Sequence, residues 1–336
     1  MCIAYFLWRH SQAPELLLVA LFNRDELFNR PTVPTHVWKD QDVVGGRDLV
    51  AGGTWMCVSH RGRAAFLTNF RQRRDESVQT PASTDPFLES LASHRQGVPS
   101  RGALPVDFVS GEASPKRYLN AVDTQAFEGF NLIVADLARQ RMAYLGSRSS
   151  SPCEELPPGM HAITNGAIHA NWPKVDEGRR QLQSLLDSGA FTPGCEADCD
   201  GGDPFDAGSG GSVEGQGKCG MGGSGTGSSL CVPWEELFAI LADDRQLEQD
   251  PARLPQTGYG TQFEAAASGI YVQPIETPLG QFGTRSQVVL AVRRDGWAEL
   301  RERYRDDTDG SWKAVQQSFQ MDLSRDEGQQ GGGQLA

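Results

Sequence analysis

Two apolar runs of strand length, Ile3 to Trp8 and Leu16 to Phe22, flank a polar turn centred on His10 to Pro14. That pattern predicts a β-hairpin at the very start of the chain. Closed symmetrically, it pairs residues whose numbers sum to about 24 and sets Cys2 beside Phe22. The charged run Asn23-Arg24-Asp25-Glu26 then emerges at the strand end next to the first residues of the chain. No apolar stretch approaches the roughly 18 residues that a membrane-spanning helix needs.

Further apolar runs repeat the pattern. Thr54 to Ser59 and Ala64 to Asn69 flank the turn His60-Arg61-Gly62-Arg63, and Phe130 to Ala135 faces Met142 to Gly146. Gly45-Gly46-Arg47-Asp48 and Ala51-Gly52-Gly53 read as tight loops. Neither fits a strand–GxxxxGK–helix phosphate loop. His161 to Asn165 is a short strand, and Ile270 to Val272, Gln287 to Val292 and Trp297 to Arg301 read as closing strands. Helices are expected over Pro86 to His94, Ser114 to Val122, Trp172 to Ser188 and Trp234 to Ala242. The third has Pro173 in its first turn, a shared apolar face of Val175, Leu182, Leu185 and Leu186, and Gly189 as its stop. Hairpins imply antiparallel pairing, so the chain reads as an α+β protein of two sheets covered by helices.

Between Gly194 and Ser229 there are 13 glycines in 36 residues, with six acids and one lysine. Such a segment buries too little apolar area to offset its ordering entropy, so it reads as a flexible acidic insertion whose deletion leaves the fold intact. The polar tail from Ser324 has the same character. One domain over residues 1 to 305, interrupted at 194 to 229 and followed by an extension over 306 to 336, is the expected organisation. Of 336 residues, 31 are basic and 43 acidic, a net charge of −12. That sign argues against nucleic acid or an anionic membrane as the main partner. The run Arg71 to Arg74 reads as solvated.

Seven cysteines make an odd count. Met1-Cys2-Ile3 opens directly on a strand-like run instead of a basic start and a small-residue cleavage site, so free thiols in a reducing, cytoplasmic setting are expected. Cys195, Cys199, Cys219 and Cys231 lack the paired short knuckles of a zinc site, and no metal or resident cofactor is expected. No Cys-x-x-Cys-His run or Cys-Pro pair marks a haem attachment. His60 and His161 read as ordinary polar residues.

Cys2 has the strongest chemical promise. Methionine removal ahead of a small second residue leaves a thiol and a free α-amine on one residue. An amine with a pKa near 8 can accept the thiol proton at cellular pH. The hairpin brings Arg24 and Asp25 to the same end, where an aspartate can hold the amine and an arginine can stabilise the thiolate.

These residues resemble the NRDE domain of the transport and Golgi organisation 2 family. The similarity runs through Met1-Cys2-Ile3, Asn23 to Glu26, Arg30-Pro31, Gly45 to Asp48 and Ala51 to Trp55. It continues in Leu67 to Arg71, Gly129 to Leu132, Thr164-Asn165-Gly166, Trp172 to Val175 and Phe282 to Arg285. The resemblance implies a four-layer αββα sandwich of the N-terminal nucleophile hydrolase kind. By similarity to its cysteine branch, Cys2 is the expected nucleophile and its amine the base, with Arg24 and Asp25 organising the pair. Asn165 or Asn69 is the expected oxyanion donor, worth roughly 3 kcal/mol, and Arg285 is expected to line the pocket. A cysteine amidase or acyl hydrolase follows. The alternative is a non-catalytic protein that binds a hydrophobic ligand such as haem or an acyl-CoA. The cellular roles implied are Golgi organisation, protein secretion, and lipid and haem homeostasis, with Golgi or mitochondrial association.

Overall fold

A computed structural model describes residues 2–71, 99–149, 153–191, 232–255 and 260–324. The expected helix over 86 to 94, the insertion at 194 to 229 with its cysteines, Cys231, residues 72 to 74 and the tail beyond 324 lie outside the described residues. In chain order the strands begin with β1 (Ile3–Trp8), β2 (Leu16–Leu27), β3 (Thr32–Val37), β4 (Val44–Asp48), β5 (Met56–Ser59) and β6 (Arg63–Asn69). Helices α1 (Ala103–Ser110) and α2 (Pro115–Ala121) follow, then β7 (Phe130–Asp136), β8 (Arg141–Gly146), β9 (Cys153–Glu155) and β10 (Gly159–Ile163). The remainder is α3 (Pro173–Asp187), α4 (Trp234–Leu241), α5 (Thr261–Ala266), β11 (Ile275–Thr277), β12 (Gly280–Arg293), β13 (Trp297–Arg305) and β14 (Trp312–Gln320).

The strands form two sheets in which every pairing is antiparallel. One runs β10-β1-β2-β12-β13-β14, with β11 added to β12; the other runs in sequence order from β3 to β9. Period-two alternation sorts most of their side chains into three large cores, with a smaller cluster of Leu27, Phe263, Val272 and Phe282 beside them. Ala4, Phe6, Trp8, Ala20 and Phe22 of the first sheet meet Met56, Val58, Phe66, Ile133 and Tyr144 of the second. On the outer face of the first sheet, Ile3, Tyr5, Val19 and Leu21 pack on Val175, Leu182, Leu237 and Phe238 of α3 and α4. On the outer face of the second, Cys57, Ala65, Leu132 and Val134 pack on Leu104, Phe108 and Leu119 of α1 and α2. Helix, sheet, sheet, helix is therefore the layer order, the αββα sandwich of the sequence reading.

Three local readings are corrected. The first hairpin pairs Ile3 with Asn23 and Ala4 with Phe22, a sum of 26 where symmetry suggested 24. The difference arises in the turn, which Arg9 enters at φ 46° while its N–H bonds Leu17 O at 2.9 Å. One more step of that register places Cys2 opposite Arg24. Gly45-Gly46-Arg47-Asp48 is strand β4, not a loop. Its glycines are required by close approach, since a Cβ would lie 2.5 Å from Met56 O at Gly45 and 2.4 Å from the Trp55 ring at Gly46. Ile270 to Val272 is an irregular segment held beside β12, where Thr284 N–H donates to Val272 O at 2.9 Å. Beyond residue 305 the chain adds β14 to the sheet and buries Met321 between the sheets. Among the described residues no helix is long and apolar enough to cross a membrane.

Candidate functional site

The NRDE run occupies the end of β2, and alternation divides its work between layers. Asn23 points to the helix side and donates to Leu241 O at 2.8 Å and Ile270 O at 2.9 Å. Arg24 points between the sheets. Its Nη2 reaches Asp48 Oδ2 at 2.9 Å, its Nη1 donates to Thr32 at 3.2 Å, and its guanidinium lies 4.4 Å from the Trp55 ring centroid. Asp25 turns back to the helix side, where Thr284 Oγ1–H donates to its Oδ1 at 2.6 Å. The Asp25 backbone amide favours the thiolate form of Cys2.

Asp48 anchors the sheet-to-sheet side. It takes Arg24 and also Arg30, whose Nε lies at 2.5 Å and Nη2 at 3.1 Å, and it accepts the N–H groups of Val50 and Ala51 at 3.1 and 2.9 Å. Burial pulls its acid strength down, but the Arg30 hydrogen bond and the two guanidinium charges outweigh that and hold its pKa below the ordinary value.

Cys2 is held from the other flank. Thr164 Oγ1–H donates to Cys2 O at 3.0 Å, and the turn carrying Thr164 is clamped to the second sheet. Thr68 donates to Thr164 O at 2.6 Å, and Asn131 Nδ2 donates to Thr164 O and Gly166 O at 3.1 and 2.9 Å. Asn165 Nδ2 donates to Asn69 O at 2.9 Å.

The result is a cavity of about 80 Å³ with Cys2 in its wall, lined by Arg24, Asp25, Glu26, Arg30, Asp48, Trp55, Asn69, Arg101 and Glu128 among others. Four of the six expected site residues, Cys2, Arg24, Asp25 and Asn69, therefore line one cavity. Asn165 is not among the lining residues; it is wholly buried and braces the Asn69 backbone. Arg285 lines a neighbouring cavity that shares Arg24. It sits at the β-bulge between the Asp25–Thr284 and Arg24–Ser286 pairings, and a bulge re-aims its side chain. Its guanidinium goes to the carbonyls of Leu27 and Arg30 and to Asp307, and burial lowers its pKa to about 10.

Burial dominates the electrostatics at the centre. It pushes the Cys2 thiol above its ordinary pKa, the positive charge at the chain's start pulls it down, and the Asp25 carboxylate pushes it up again. Burial likewise raises Asp25, against the same amino charge, Lys174 and the Thr284 hydroxyl. A protonated thiol beside a carboxylic group needs a base to become a nucleophile.

Asp48 and Lys174 are the participants that the sequence reading left unassigned. Both lie inside motifs it quoted, GGRD and WPKV, and a buried charge is the only added signal. Arg71 is corrected: its side chain is 5% exposed and forms a buried ion pair with Glu264. His60 bonds Asp42 at 2.7 Å and His161 bonds Pro157 O at 2.8 Å; neither lines the Cys2 cavity. Among the described residues no cluster of three or more His, Cys, Asp or Glu could hold a metal ion.

Comparison with solved structures finds an N-acylethanolamine-hydrolyzing acid amidase orthologue from Caenorhabditis elegans. Its TM-score is 0.37 at 13% identity, over 59% of this chain and 88% of that one. A mutant conjugated bile acid hydrolase from Clostridium perfringens also scores 0.37, at 9% identity over 96% and 98%. Among sequences, a transport and Golgi organization 2 homolog from Mus musculus is 28% identical and one from Homo sapiens 25%, each over 96% of this chain and 99% of the relative. The Drosophila melanogaster protein is 23% identical over 55% of this chain and 65% of its own length. The family model described as Transport and Golgi organisation 2 matches residues 1–198 and 226–307, and the chain belongs to that family.

Proposed function

We propose that the protein is an N-terminal cysteine hydrolase that cleaves an acylated amide or thioester, with Cys2 as nucleophile once Met1 is removed. The observation that carries this is the convergence on one cavity of Cys2, Asp25 and the Arg24–Asp48 pair. In the reaction the α-amine takes the thiol proton as sulfur bonds to the acyl carbon, and the carbonyl π electrons move onto oxygen. Collapse of that oxyanion expels the leaving amine or thiol, which takes its proton from the α-ammonium. Water, deprotonated by the same amine, then adds to the thioester carbon; collapse breaks the carbon–sulfur bond, the sulfur takes the proton back from the α-ammonium, and the acyl group leaves as an acid. Asn69, which lines the cavity, is the asparagine assigned as oxyanion donor, and Asn165 holds its backbone. For the cellular role we propose Golgi organisation, protein secretion, and lipid and haem homeostasis, a reading that family membership supports.

The second reading keeps the same cleft as a non-catalytic site for haem or an acyl-CoA. One observation favours it: burial raises the Cys2 thiol and so disfavours a resting thiolate. A single set of measurements separates the two. Intact mass of native protein shows Cys2 as an unacetylated first residue under the hydrolase reading. Iodoacetamide at neutral pH then labels it ahead of the six other thiols. Cys2→Ser, which retains the amine and substitutes a much weaker acid, abolishes turnover of N-acyl amides and acyl thioesters without unfolding. Retention of Met1, or equal labelling of the accessible thiols, selects the binding reading.

A further inference from the structure

Three arginines line the cavity that holds Cys2, and two of them are already engaged. Arg24 and Arg30 both bind Asp48. Arg101 is the third. Its side chain is 13% exposed, and among the described residues its guanidinium makes one hydrogen bond, from Nη1 to Gly129 O at 3.0 Å. Its ion-pair partner, Glu128 Oε2, stands 3.7 Å from Nη2, beyond hydrogen-bond range. A guanidinium carries five N–H donors in a planar fork. Most of Arg101's donors therefore stand unused at a nearly buried position.

The backbone delivers this side chain to a fixed place. Arg101 stands two residues before α1, and Gly102 packs directly on the Gly53 backbone. Thr54 N–H donates to Gly102 O at 3.0 Å, and a Cβ at Gly53 would fall 2.3 Å from Gly102 C, an approach that only glycine permits. Gly129 O, which anchors the guanidinium, also accepts the Phe70 N–H at 2.8 Å. The next residue, Phe130, pairs with Asn69 at the same end of β6 and β7. The fork is thus fixed near the residue assigned to the oxyanion, in the cavity with Cys2 in its wall. At about 80 Å³ that cavity admits a handful of water-sized groups, enough for a reacting carbonyl and a small head and too little for an acyl chain. The head that suits a planar fork of donors is a carboxylate, which accepts two parallel N–H bonds. Burial lowers the Arg101 pKa, and a bound anion offsets that loss of solvation.

We propose that Arg101 is a specificity-determining residue that binds a carboxylate of the substrate, so that the class hydrolysed is a small amide bearing a carboxylate a few atoms from the scissile bond. This rests on the hydrolase reading and names its substrate. The carboxylate belongs either to the leaving amine, as in an N-acyl amino acid, or to the acyl group, as in a dicarboxylic acid monoamide.

The test uses the full chain with Cys2 verified as first residue, and two alkylating probes of similar shape that differ in charge, iodoacetate and iodoacetamide. In both reactions sulfur displaces iodide, and both need the same thiolate, so the ratio of their rates does not depend on the thiol's pKa. At Cys2 the iodoacetate-to-iodoacetamide ratio exceeds that of the urea-unfolded chain by about tenfold, the scale of a charge-assisted hydrogen bond. Arg101→Gln returns it to the unfolded value, and Arg101→Lys, which keeps the charge without the fork, leaves it between the two. Should Arg101→Gln fail to fold, the wild type decides: propionate protects Cys2 from iodoacetamide where propionamide does not. N-acetylglycine hydrolysed ahead of N-acetylglycinamide sets the carboxylate on the leaving amine, and succinamate hydrolysed ahead of succinamide sets it on the acyl group. The proposal is overturned if neither acid outpaces its neutral partner, if propionate gives no more protection than propionamide, or if Arg101→Gln leaves the ratio high. A ratio no higher than in the unfolded chain also overturns it, yet leaves the hydrolase reading intact where iodoacetamide still singles out Cys2. If iodoacetamide does not single out Cys2, both readings fall.

Discussion

Removing the Asp48 carboxylate tests how the site is held between the sheets. Asp48→Ala leaves Arg24, 4% exposed, and Arg30, whose side chain is 13% exposed, without the group both share. Breaking a buried ion pair by deleting one partner costs about 3–5 kcal/mol. The two arginines lean on one carboxylate, so their losses do not add. Arg30 also keeps Glu26 at 4.0 Å, and the expectation stays at about 3–5 kcal/mol. At roughly 2–4 °C per kcal/mol, with a chain of this size at the low end, the melting temperature falls roughly 6–15 °C. The pH dependence follows from the depressed pKa of Asp48. A carboxyl held below its unfolded value of about 3.9 contributes stability above that pH and loses it as pH falls through the folded value. The gap between wild type and variant is therefore widest near neutrality and closes in acid. Urea unfolding followed by circular dichroism and tryptophan fluorescence at pH 7, 5 and 3 measures it. A neutral-pH loss under about 1 kcal/mol, or a gap that does not close in acid, refutes the reasoning.

Two further substitutions probe the other flanks. Gly178→Ala places a Cβ 2.1 Å from Tyr5 Cζ, and overpacking of about 1–3 kcal/mol exceeds the gain of about 1 kcal/mol in helix propensity; denaturant unfolding should show net destabilisation. Thr284→Val removes the hydroxyl donor to Asp25 and raises that carboxyl further. It should cost about 1–3 kcal/mol in a melt and slow Cys2 alkylation at neutral pH, both recovered by Thr284→Ser.

Much of this architecture is visible in the residues because it is local. Apolar runs and turn residues predict the β1–β2, β5–β6 and β7–β8 hairpins and α3, whose start at Pro173 and stop before Gly189 at φ 77° follow from proline and glycine geometry. Register is less accessible, because it depends on how the loop after Arg9 closes and not on the apolar pattern alone. Strand β14 has no clear apolar signature because it is an edge strand whose burial pattern never reaches a fully buried residue. Arg285 matches its motif yet is turned aside by a bulge, a feature of the β2–β12 pairing that neither strand shows by itself. Asp48 and Lys174 stand inside matched motifs, but nothing in the local sequence marks either charge as buried. Only the packing of β4 on β2's arginine and of α3 on β1 makes them buried.

The spacing of the NRDE run has a physical reason in the sandwich. A strand between two layers sends successive side chains to opposite sides, so four consecutive polar residues cannot form one cluster. Asn23 ties the strand to the helix layer through two carbonyls, and Arg24 ties it to the second sheet through Asp48. Asp25 returns to the helix layer with Thr284 while still lining the cavity that holds Cys2. Glu26 comes back to the cavity wall beside Arg30. The hairpin register that sets Cys2 opposite Arg24 thus puts the thiol where both layers converge. A slip by one residue would exchange Arg24 and Asp25 between layers, leaving a guanidinium among α3 and α4 and a carboxylate facing Asp48. Each would then meet a buried environment without its partner, at several kcal/mol apiece. The same ion pairs that line the cavity therefore hold the strand in the only register that forms it.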